Sequence, residues 1–196
     1  MLYQLLTSVK ESFSFLNVFE YITFRSASAA ITALVISFII GPWIIHILQS
    51  HQIGEEIRQT GPDSHLKKKG TPTMGGLLIL SAVLIPTFLF GDLSNTFIQI
   101  IIISTLWMGV FGFLDDYLKV IKKSKAGLIA RYKMAGQIIL GIIVSFWILN
   151  TPEFAHIASK TSIPFFKNFE IDFGLMYPLI VILVITGTSN AVNLTD

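Results

Sequence analysis

Long apolar stretches constrain the fold of this chain more than any other feature. No residue from Ile98 to Leu114 is charged, and about 20 consecutive apolar residues in a helix are enough to cross a bilayer. Over the whole chain 53% of the residues are hydrophobic and 13% are charged, and the mean hydropathy is +0.70. These values are far from those of a soluble domain and predict an all-α polytopic membrane protein.

Five apolar stretches are predicted to be transmembrane helices. At about 1.5 Å per residue they give roughly 24–35 Å of helix, which brackets the thickness of a bilayer core. The two shortest need flanking residues to complete a crossing. The predicted spans are 26–48, 74–90, 96–114, 134–149 and 175–192, in a single membrane domain, 1–196, whose segment 1–25 is periplasmic or interfacial. We expect no removable signal peptide, because this first segment lacks a basic start and a cleavage site.

The distribution of lysine and arginine orients the predicted bundle. Most of these residues lie between spans one and two or between spans three and four. Loops rich in Lys and Arg face the cytoplasm, so the amino terminus is predicted to lie outside. In the outer loop, 151–174, apolar and acidic residues alternate from Phe169 to Phe173, which predicts a short β-hairpin with a turn at Lys167–Asn168.

Two adjacent carboxylates, Asp115 and Asp116, follow the uncharged run. They repel each other, and removing water from either is unfavourable. A divalent metal that also holds a phosphate would compensate both effects, and the lysines from Lys119 to Lys125 would neutralise the remaining phosphate oxygens. The alternative is an ion pair with Lys119, one turn further along a continuing helix.

A second polar cluster, Gly70–Gly76, follows three lysines and opens span two. Thr73 can cap the helix, and backbone amides at a helix amino terminus suit an anionic substrate. The alternative is an ordinary helix start with a basic anchor on the cytoplasmic side.

A third polar cluster closes span five. Asn190 and Asn193 share one helix face, and Asp196 follows them. Their amides and carboxylate suit a nucleoside; the alternative is hydrogen bonding between helices in lipid. Because all three clusters are predicted at cytoplasmic span ends, the sequence predicts that they form one site.

At these residues the chain resembles the phospho-N-acetylmuramoyl-pentapeptide transferases, a branch of the polyprenyl-phosphate N-acetylhexosamine-1-phosphate transferase superfamily. The matching strings are HLKKKGTPTMGG at 65–76, FGFLDDYLKV at 111–120 and NAVNLTD at 190–196. The aspartate pair is shared across the superfamily, whereas PTMGG and NLTD are more specific to this branch. Together with the spacing of the spans, the resemblance covers essentially the whole chain.

The resemblance implies an enzyme of the bacterial inner membrane that uses Mg²⁺ and has its active site on the cytoplasmic side. Such enzymes transfer phospho-MurNAc-pentapeptide from UDP-MurNAc-pentapeptide to undecaprenyl phosphate, giving lipid I and UMP in peptidoglycan synthesis. The resemblance makes Asp115 and Asp116 the catalytic pair and ligands of the metal. The substrate-binding residues that it implies are Lys68, Thr73, Lys119, Lys123, Lys133, Asn190, Asn193 and Asp196.

The family pattern continues past position 196 with a Gly-Leu-Asp-Gly string, and it has about ten helices, so that five spans correspond to its amino-terminal half. The main metal-binding aspartate and a histidine-rich loop are expected in that continuation. We therefore expect this chain alone to be inactive.

Two other functions are kept as alternatives. One is a transferase of the same superfamily that uses UDP-GlcNAc for other surface glycans. The other is a cation-coupled transporter, which would place carboxylates near the middle of the bilayer rather than at a span end. The expected partners are the two substrates, membrane lipids and a second copy of the chain in a homodimer, and no nucleic acid is expected. Whether transfer is direct or passes through an aspartyl intermediate is left open.

Overall fold

The computed structural model describes residues 2–8, 13–50, 74–122, 127–163, 165–166 and 169–195. The described chain is mainly helical, and its contacts divide it into two units, Met1–Leu128 and Ile129–Asp196. Unit 1 contains helices α1 (Leu2–Ser8), α2 (Ile22–Ser50), α3 (Gly76–Phe90) and α4 (Thr96–Val120), with a 3₁₀ helix at Ser14–Glu20. Unit 2 contains α5 (Ala130–Asn150) and α6 (Tyr177–Thr195), with strands β1 (Lys160–Ser162) and β2 (Glu170–Asp172) between them.

Four of the five predicted spans coincide with helices that are long and apolar enough to cross a membrane. The stretches are Ile22–Leu48, Thr96–Val120, Ala130–Asn150 and Gly174–Asn193. The helix α3 occupies the remaining span, but its 15 residues extend only about 22 Å at 1.5 Å per residue. A crossing at α3 therefore stays a prediction, although the helix itself is present.

The outer surfaces of these helices carry large apolar side chains. Phe38 is 75% exposed, Ile39 is 70% exposed and Phe146 is 55% exposed. Hydroxyl groups on the same helices bond to their own backbone, as in the Thr32 hydroxyl that donates to the carbonyl of Ser28 at 2.8 Å. Apolar faces and internally satisfied polar groups are what a helix needs in lipid. The chain is thus a multi-pass membrane protein.

The helix α4 has a well-defined start and extends beyond the predicted span end. The Oδ1 atom of Asn95 accepts hydrogen bonds from the N–H groups of Phe97 and Ile98 at 3.0 and 3.3 Å, which satisfies two amides that the helix leaves unpaired. The helix then continues past Leu114 to Val120. The aspartate pair therefore lies inside a helix, not in the loop after it.

In unit 1, α3 packs against both α2 and α4. A Cβ atom on Gly109 of α4 would lie 2.7 Å from the Leu80 side chain, and one on Gly41 of α2 would lie 3.4 Å from Leu78. The early part of α3 thus contacts the later parts of its neighbours, so α3 runs antiparallel to both. As a consequence, the start of α3 and the end of α4 lie at the same end of unit 1.

In unit 2, α5 buries one face against α6. The buried positions are Gly136, Gln137, Leu140, Gly141, Val144 and Ser145, whose spacing of four residues places them on one side of the helix. At the closest point, a Cβ atom on Gly141 would lie 2.9 Å from the Cα atom of Ile182. Small residues that let two backbones approach are the usual basis of helix packing in membranes.

The hairpin that the sequence predicts in the outer loop is present. β1 and β2 pair antiparallel, with Thr161 opposite Ile171; the predicted turn at Lys167–Asn168 lies outside the described residues. The Asp172 carboxylate accepts hydrogen bonds from the Ser159 hydroxyl at 2.6 Å and from the Gly174 N–H at 2.9 Å. These bonds, the Ser159 bond most of all, lower the pKa of Asp172 below its ordinary value of 3.8, and Lys160 adds to the effect.

We expect Gly141→Ala to destabilise unit 2, because the new methyl group would meet the backbone of Ile182 and push the two helices apart. Overpacking of this kind costs about 1–3 kcal/mol. The free energy of unfolding in detergent measures the effect. Gly187→Ala on α6 is the matched control, since a Cβ there meets nothing within 4 Å, and alanine should be neutral or stabilising. Equal stabilities of the two variants would contradict the packing described above.

We expect Ser159→Ala to raise the pKa of Asp172 toward 3.8, because the variant removes the strongest of the hydrogen bonds that lower it. The folded-state pKa is the lower one, so the stability that this contact gives the hairpin is present above pH 3.8 and is lost as the pH falls below that value. Carboxylate chemical shifts of Asp172 titrated by NMR measure the change. An unchanged pKa in the variant would show that the Ser159 bond is not its cause.

Candidate functional site

The first carboxylate of the predicted pair, Asp115, is buried near the end of α4 and has partners on both oxygens. Its exposed fraction is 9%. The Oδ2 atom lies 2.9 Å from the Nζ atom of Lys119, one turn further along the helix. The Oδ1 atom accepts a hydrogen bond from the N–H of Leu128 at 2.8 Å. Asp115 thus contacts both the ammonium group of Lys119 and the backbone N–H of Leu128, which follows the lysine-rich segment.

The glycine before Leu128 makes this approach possible. Gly127 is buried and has a φ of +61°, a left-handed conformation that side chains disfavour. A Cβ atom there would collide with Oδ1 of Asp115 and would lie 2.7 Å from Cε of Lys119. Gly127 was not among the site residues predicted from the sequence; its local signal is a glycine two residues after Lys125.

The second carboxylate, Asp116, is half-buried and projects in a different direction. Successive residues on an α-helix are separated by about 100° around its axis. Asp115 and Asp116 therefore do not form a ready-made clamp around one ion in the way that side chains four residues apart can.

A Mg²⁺ ion fits this pair only with ligands from elsewhere. Such an ion is commonly held by one or two carboxylates, with substrate phosphates and water completing its octahedral shell. Within the described part of the chain, no group of three or more Asp, Glu, His or Cys side chains lies close enough to hold a metal. The residues present suit an ion that arrives with a phosphate rather than a metal cage built from protein alone.

Of the predicted substrate-binding residues, Lys119 lies beside Asp115 in unit 1, with its side chain 46% exposed. Lys133 lies in the early part of α5, and Asn190 and Asn193 lie in the last turns of α6. Because α5 and α6 run antiparallel, these three residues lie at one end of unit 2. The sequence predicts that the polar clusters of unit 1 and unit 2 form one site, and this stays a prediction. Outside the described residues are Lys68, Thr73, Lys123 and Asp196.

The side chain of Asn190 connects the two helices of unit 2. Its Nδ2 atom donates to Oε1 of Gln137 at 2.9 Å and to the carbonyl of Thr186 at 2.8 Å. Gln137 is 6% exposed and donates in turn to the Ser189 hydroxyl at 3.0 Å. Hydrogen bonding between helices was the alternative to nucleoside binding in the sequence analysis of this cluster. Asn190 therefore has a structural partner, Gln137, on the facing helix. Asn193, by contrast, is exposed.

Gln137 is a polar residue that the sequence analysis missed. Its signal is visible afterwards: it is an amide near the start of a predicted span, and a buried amide in lipid needs a partner.

The sequence of this chain also matches models of known protein families. The sequence model of glycosyl transferase family 4 matches residues 98–196, a stretch that contains the aspartate pair, the α5–α6 contact and the asparagines of α6. This chain belongs to glycosyl transferase family 4. A second, shorter match covers residues 68–80 and is described as phospho-N-acetylmuramoyl-pentapeptide-transferase signature 1.

Curated relatives from several bacteria agree with the family. A phospho-N-acetylmuramoyl-pentapeptide-transferase of Chlorobaculum parvum is 48% identical over all of this chain. Proteins of the same name from Chlorobium chlorochromatii and Pelobacter propionicus are each 46% identical, again over 100% of the chain. In each case the chain spans 54% of the relative's length.

The contacts of Asp115 predict different effects for two substitutions. Asp115→Ala leaves the part-buried N–H of Leu128 without its acceptor, which we expect to cost about 1 kcal/mol or more. Asp115→Asn retains an acceptor oxygen and loses only the pair with a half-exposed lysine, worth about 0–1 kcal/mol. Unfolding in detergent gives the free energies, and hydrogen exchange at the Leu128 amide reports the bond itself. Equal exchange at Leu128 in the two variants would refute the proposed hydrogen bond.

Proposed function

We propose that this chain takes part in the transfer of phospho-MurNAc-pentapeptide from UDP-MurNAc-pentapeptide to undecaprenyl phosphate, the step that forms lipid I in peptidoglycan synthesis. The proposal is supported by where the two family matches lie in unit 1. The signature at 68–80 runs into the start of α3, and the family match from residue 98 includes Asp115. The structure brings the start of α3 and the end of α4 to the same end of the unit. This chain spans about half the length of its relatives. The reaction is therefore proposed for a protein of the relatives' length that contains this chain.

The reaction is a displacement at phosphorus. An oxygen of the lipid phosphate forms a bond to the phosphorus that carries the sugar, and the bond from that phosphorus to the bridging oxygen of UMP breaks. UMP leaves with the electron pair, and the proton of the lipid phosphate passes to a carboxylate. Mg²⁺, when bound, would neutralise charge on the pyrophosphate.

The two aspartates have separate tasks in this proposal. Asp115 already accepts a hydrogen bond from Leu128 and pairs with Lys119. We assign it the positioning of Lys119, whose half-exposed ammonium group would face phosphate oxygens of the substrate. Proton transfer and the metal are then assigned to Asp116, on the next position of the same helix.

We infer the cellular setting from the charge distribution. Basic segments precede α3 and follow α4, which supports a cytoplasmic location for the aspartate end of unit 1 in a bacterium, where a UDP-linked substrate would be available. The lipid substrate would reach the site from the membrane that surrounds the apolar helices.

We expect Asp116→Asn to reduce UMP release by about 10²–10⁴-fold, the usual contribution of a general base. Asp115→Asn should also reduce the rate strongly, but by less, because it retains the acceptor for Leu128. The assay measures UMP formed from UDP-MurNAc-pentapeptide and undecaprenyl phosphate, with and without Mg²⁺, in a polypeptide of the relatives' length that carries this chain. Glu170→Gln in the hairpin is the control. A rate like that of the parent protein for either aspartate variant would refute its role.

The same preparation separates the alternative functions. UDP-GlcNAc in place of the muramoyl substrate tests for a transferase of other glycans. Ion flux in proteoliposomes without UMP release would indicate a transporter instead.

A further inference from the structure

A cavity lies at the opposite end of unit 1 from Asp115. It is a partly open cavity bounded by the start of α2, the end of α3 and the start of α4, and its volume is about 510 Å³, within the usual range for a ligand pocket of about 300–1,000 Å³. Apolar side chains such as Ile22, Pro86 and Phe97 form much of its wall. Two ionisable side chains, Arg25 and Asp92, line it as well.

The guanidinium group of Arg25 has more donors than partners. It lies over the ring of Tyr3, with Cζ 4.0 Å from the ring centroid, and its Nη1 atom donates a long hydrogen bond of 3.5 Å to the carbonyl of Phe90. Its Nε atom is buried and has no hydrogen-bond partner among the described residues. A guanidinium carries five N–H donors in a planar fork that matches a phosphate or a carboxylate.

The helix that carries Arg25 does not compensate its charge. Arg25 lies in the first turn of α2, where the partial positive charge of the helix terminus disfavours a cation. Within the described part of the chain, no carboxylate lies within ion-pairing distance of Arg25. An anionic group in the cavity would therefore offset both positive charges and accept hydrogen bonds from the part of the half-buried Arg25 side chain that lines the cavity.

The carboxylate of Asp92 gives the cavity a second, opposite charge. Its Oδ1 atom accepts a hydrogen bond from the N–H of Ser94 at 3.1 Å, which holds the side chain in the turn between α3 and α4. Asp92 and Arg25 line the same cavity without pairing with each other. This arrangement complements a ligand that carries both an anionic and a cationic group.

The surroundings of the cavity match the depth of lipid head groups. Tyr21 is 66% exposed in the residue before Ile22 of the cavity wall, and tyrosine is enriched where a bilayer meets water. The apolar stretches of α2 and α4 begin at this level.

We propose that this cavity binds the head group of a zwitterionic phospholipid with a primary amine, of the phosphatidylethanolamine class. Arg25 binds the phosphate through guanidinium N–H groups other than the buried Nε–H, Asp92 binds the ammonium group, and the apolar wall receives the glycerol and the first methylenes of an acyl chain. The site lies away from the proposed reaction and stands whether or not the transferase function is correct.

Native mass spectrometry of the purified chain, released from detergent with added lipid, tests the proposal. The probes are phosphatidylethanolamine, phosphatidylglycerol and inorganic phosphate. We expect phosphatidylethanolamine to bind most tightly, and Arg25→Gln to weaken it by about tenfold or more, as expected for the loss of a charge-assisted hydrogen bond. Asp92→Asn should remove the preference for phosphatidylethanolamine over phosphatidylglycerol.

Arg131→Gln is the matched control. Arg131 also lies in the first turn of a helix with its guanidinium over a tyrosine ring, 5.0 Å from the centroid of Tyr132, but it does not line the cavity. Its substitution should leave lipid binding unchanged. Arg25→Lys retains the charge but not the fork and should give an intermediate affinity.

Three results would overturn the proposal. The first is that the Arg25→Gln variant binds phosphatidylethanolamine as tightly as the parent chain does. The second is that the Arg131→Gln control weakens lipid binding as much as Arg25→Gln does. The third is that inorganic phosphate displaces the lipid, which would indicate a site for free anions. If Arg25→Gln does not fold, lipid-dependent thermal stabilisation of the parent chain decides. Greater stabilisation by phosphatidylethanolamine than by phosphatidylglycerol supports the site, and no difference rejects it.

Discussion

Polar groups in a hydrocarbon environment cannot rely on water, and the structure of this chain depends on how each of them finds a partner. Hydroxyl groups along the apolar helices bond to the carbonyl one turn back, as Thr32 does with Ser28. The amide of Gln137 is shared with Asn190 and Ser189 on the facing helix. Asp115 has a lysine on one oxygen and a backbone N–H on the other. Against this background Arg25 is an exception, because its buried Nε–H has no hydrogen-bond partner in the part of the chain that the structure describes.

Unit 1 has two ends with different chemistry, and the antiparallel packing of α3 separates them. At one end the start of α3 meets the end of α4, with the buried carboxylate of Asp115 and its lysine. At the other end the start of α2 meets the end of α3, with Arg25 and Asp92 around an apolar cavity. The first arrangement is the proposed site for a phosphorylated substrate, and the second is the proposed site for a lipid head group.

Much of the fold could be predicted from the sequence because apolar run length is a local property. Four spans coincide with helices of crossing length, and the alternation from Phe169 to Phe173 correctly indicated a hairpin. The end of α4 was less predictable. The span was predicted to end at Leu114 because the charges begin there, yet the helix continues to Val120, with Lys119 and the buried Asp115 paired one turn apart. The helix α3, at 15 residues, shows that an apolar composition alone does not set the length of a helix.

The sequence by itself determined that this chain is a set of apolar helices, that two carboxylates lie near the end of one of them, and that the chain resembles a family of membrane transferases. These properties can be predicted because they depend on residues that are close together in the sequence or on short sequence motifs. Only the tertiary structure decided which groups those carboxylates and amides contact: Asp115 with Leu128, 13 residues further along the chain, Asn190 with Gln137 on another helix, and Arg25 with a cavity built from three helices. Contacts between residues far apart in the chain depend on how helices pack, and helix packing is fixed by small residues such as Gly141, whose role becomes visible only when the facing backbone is in place.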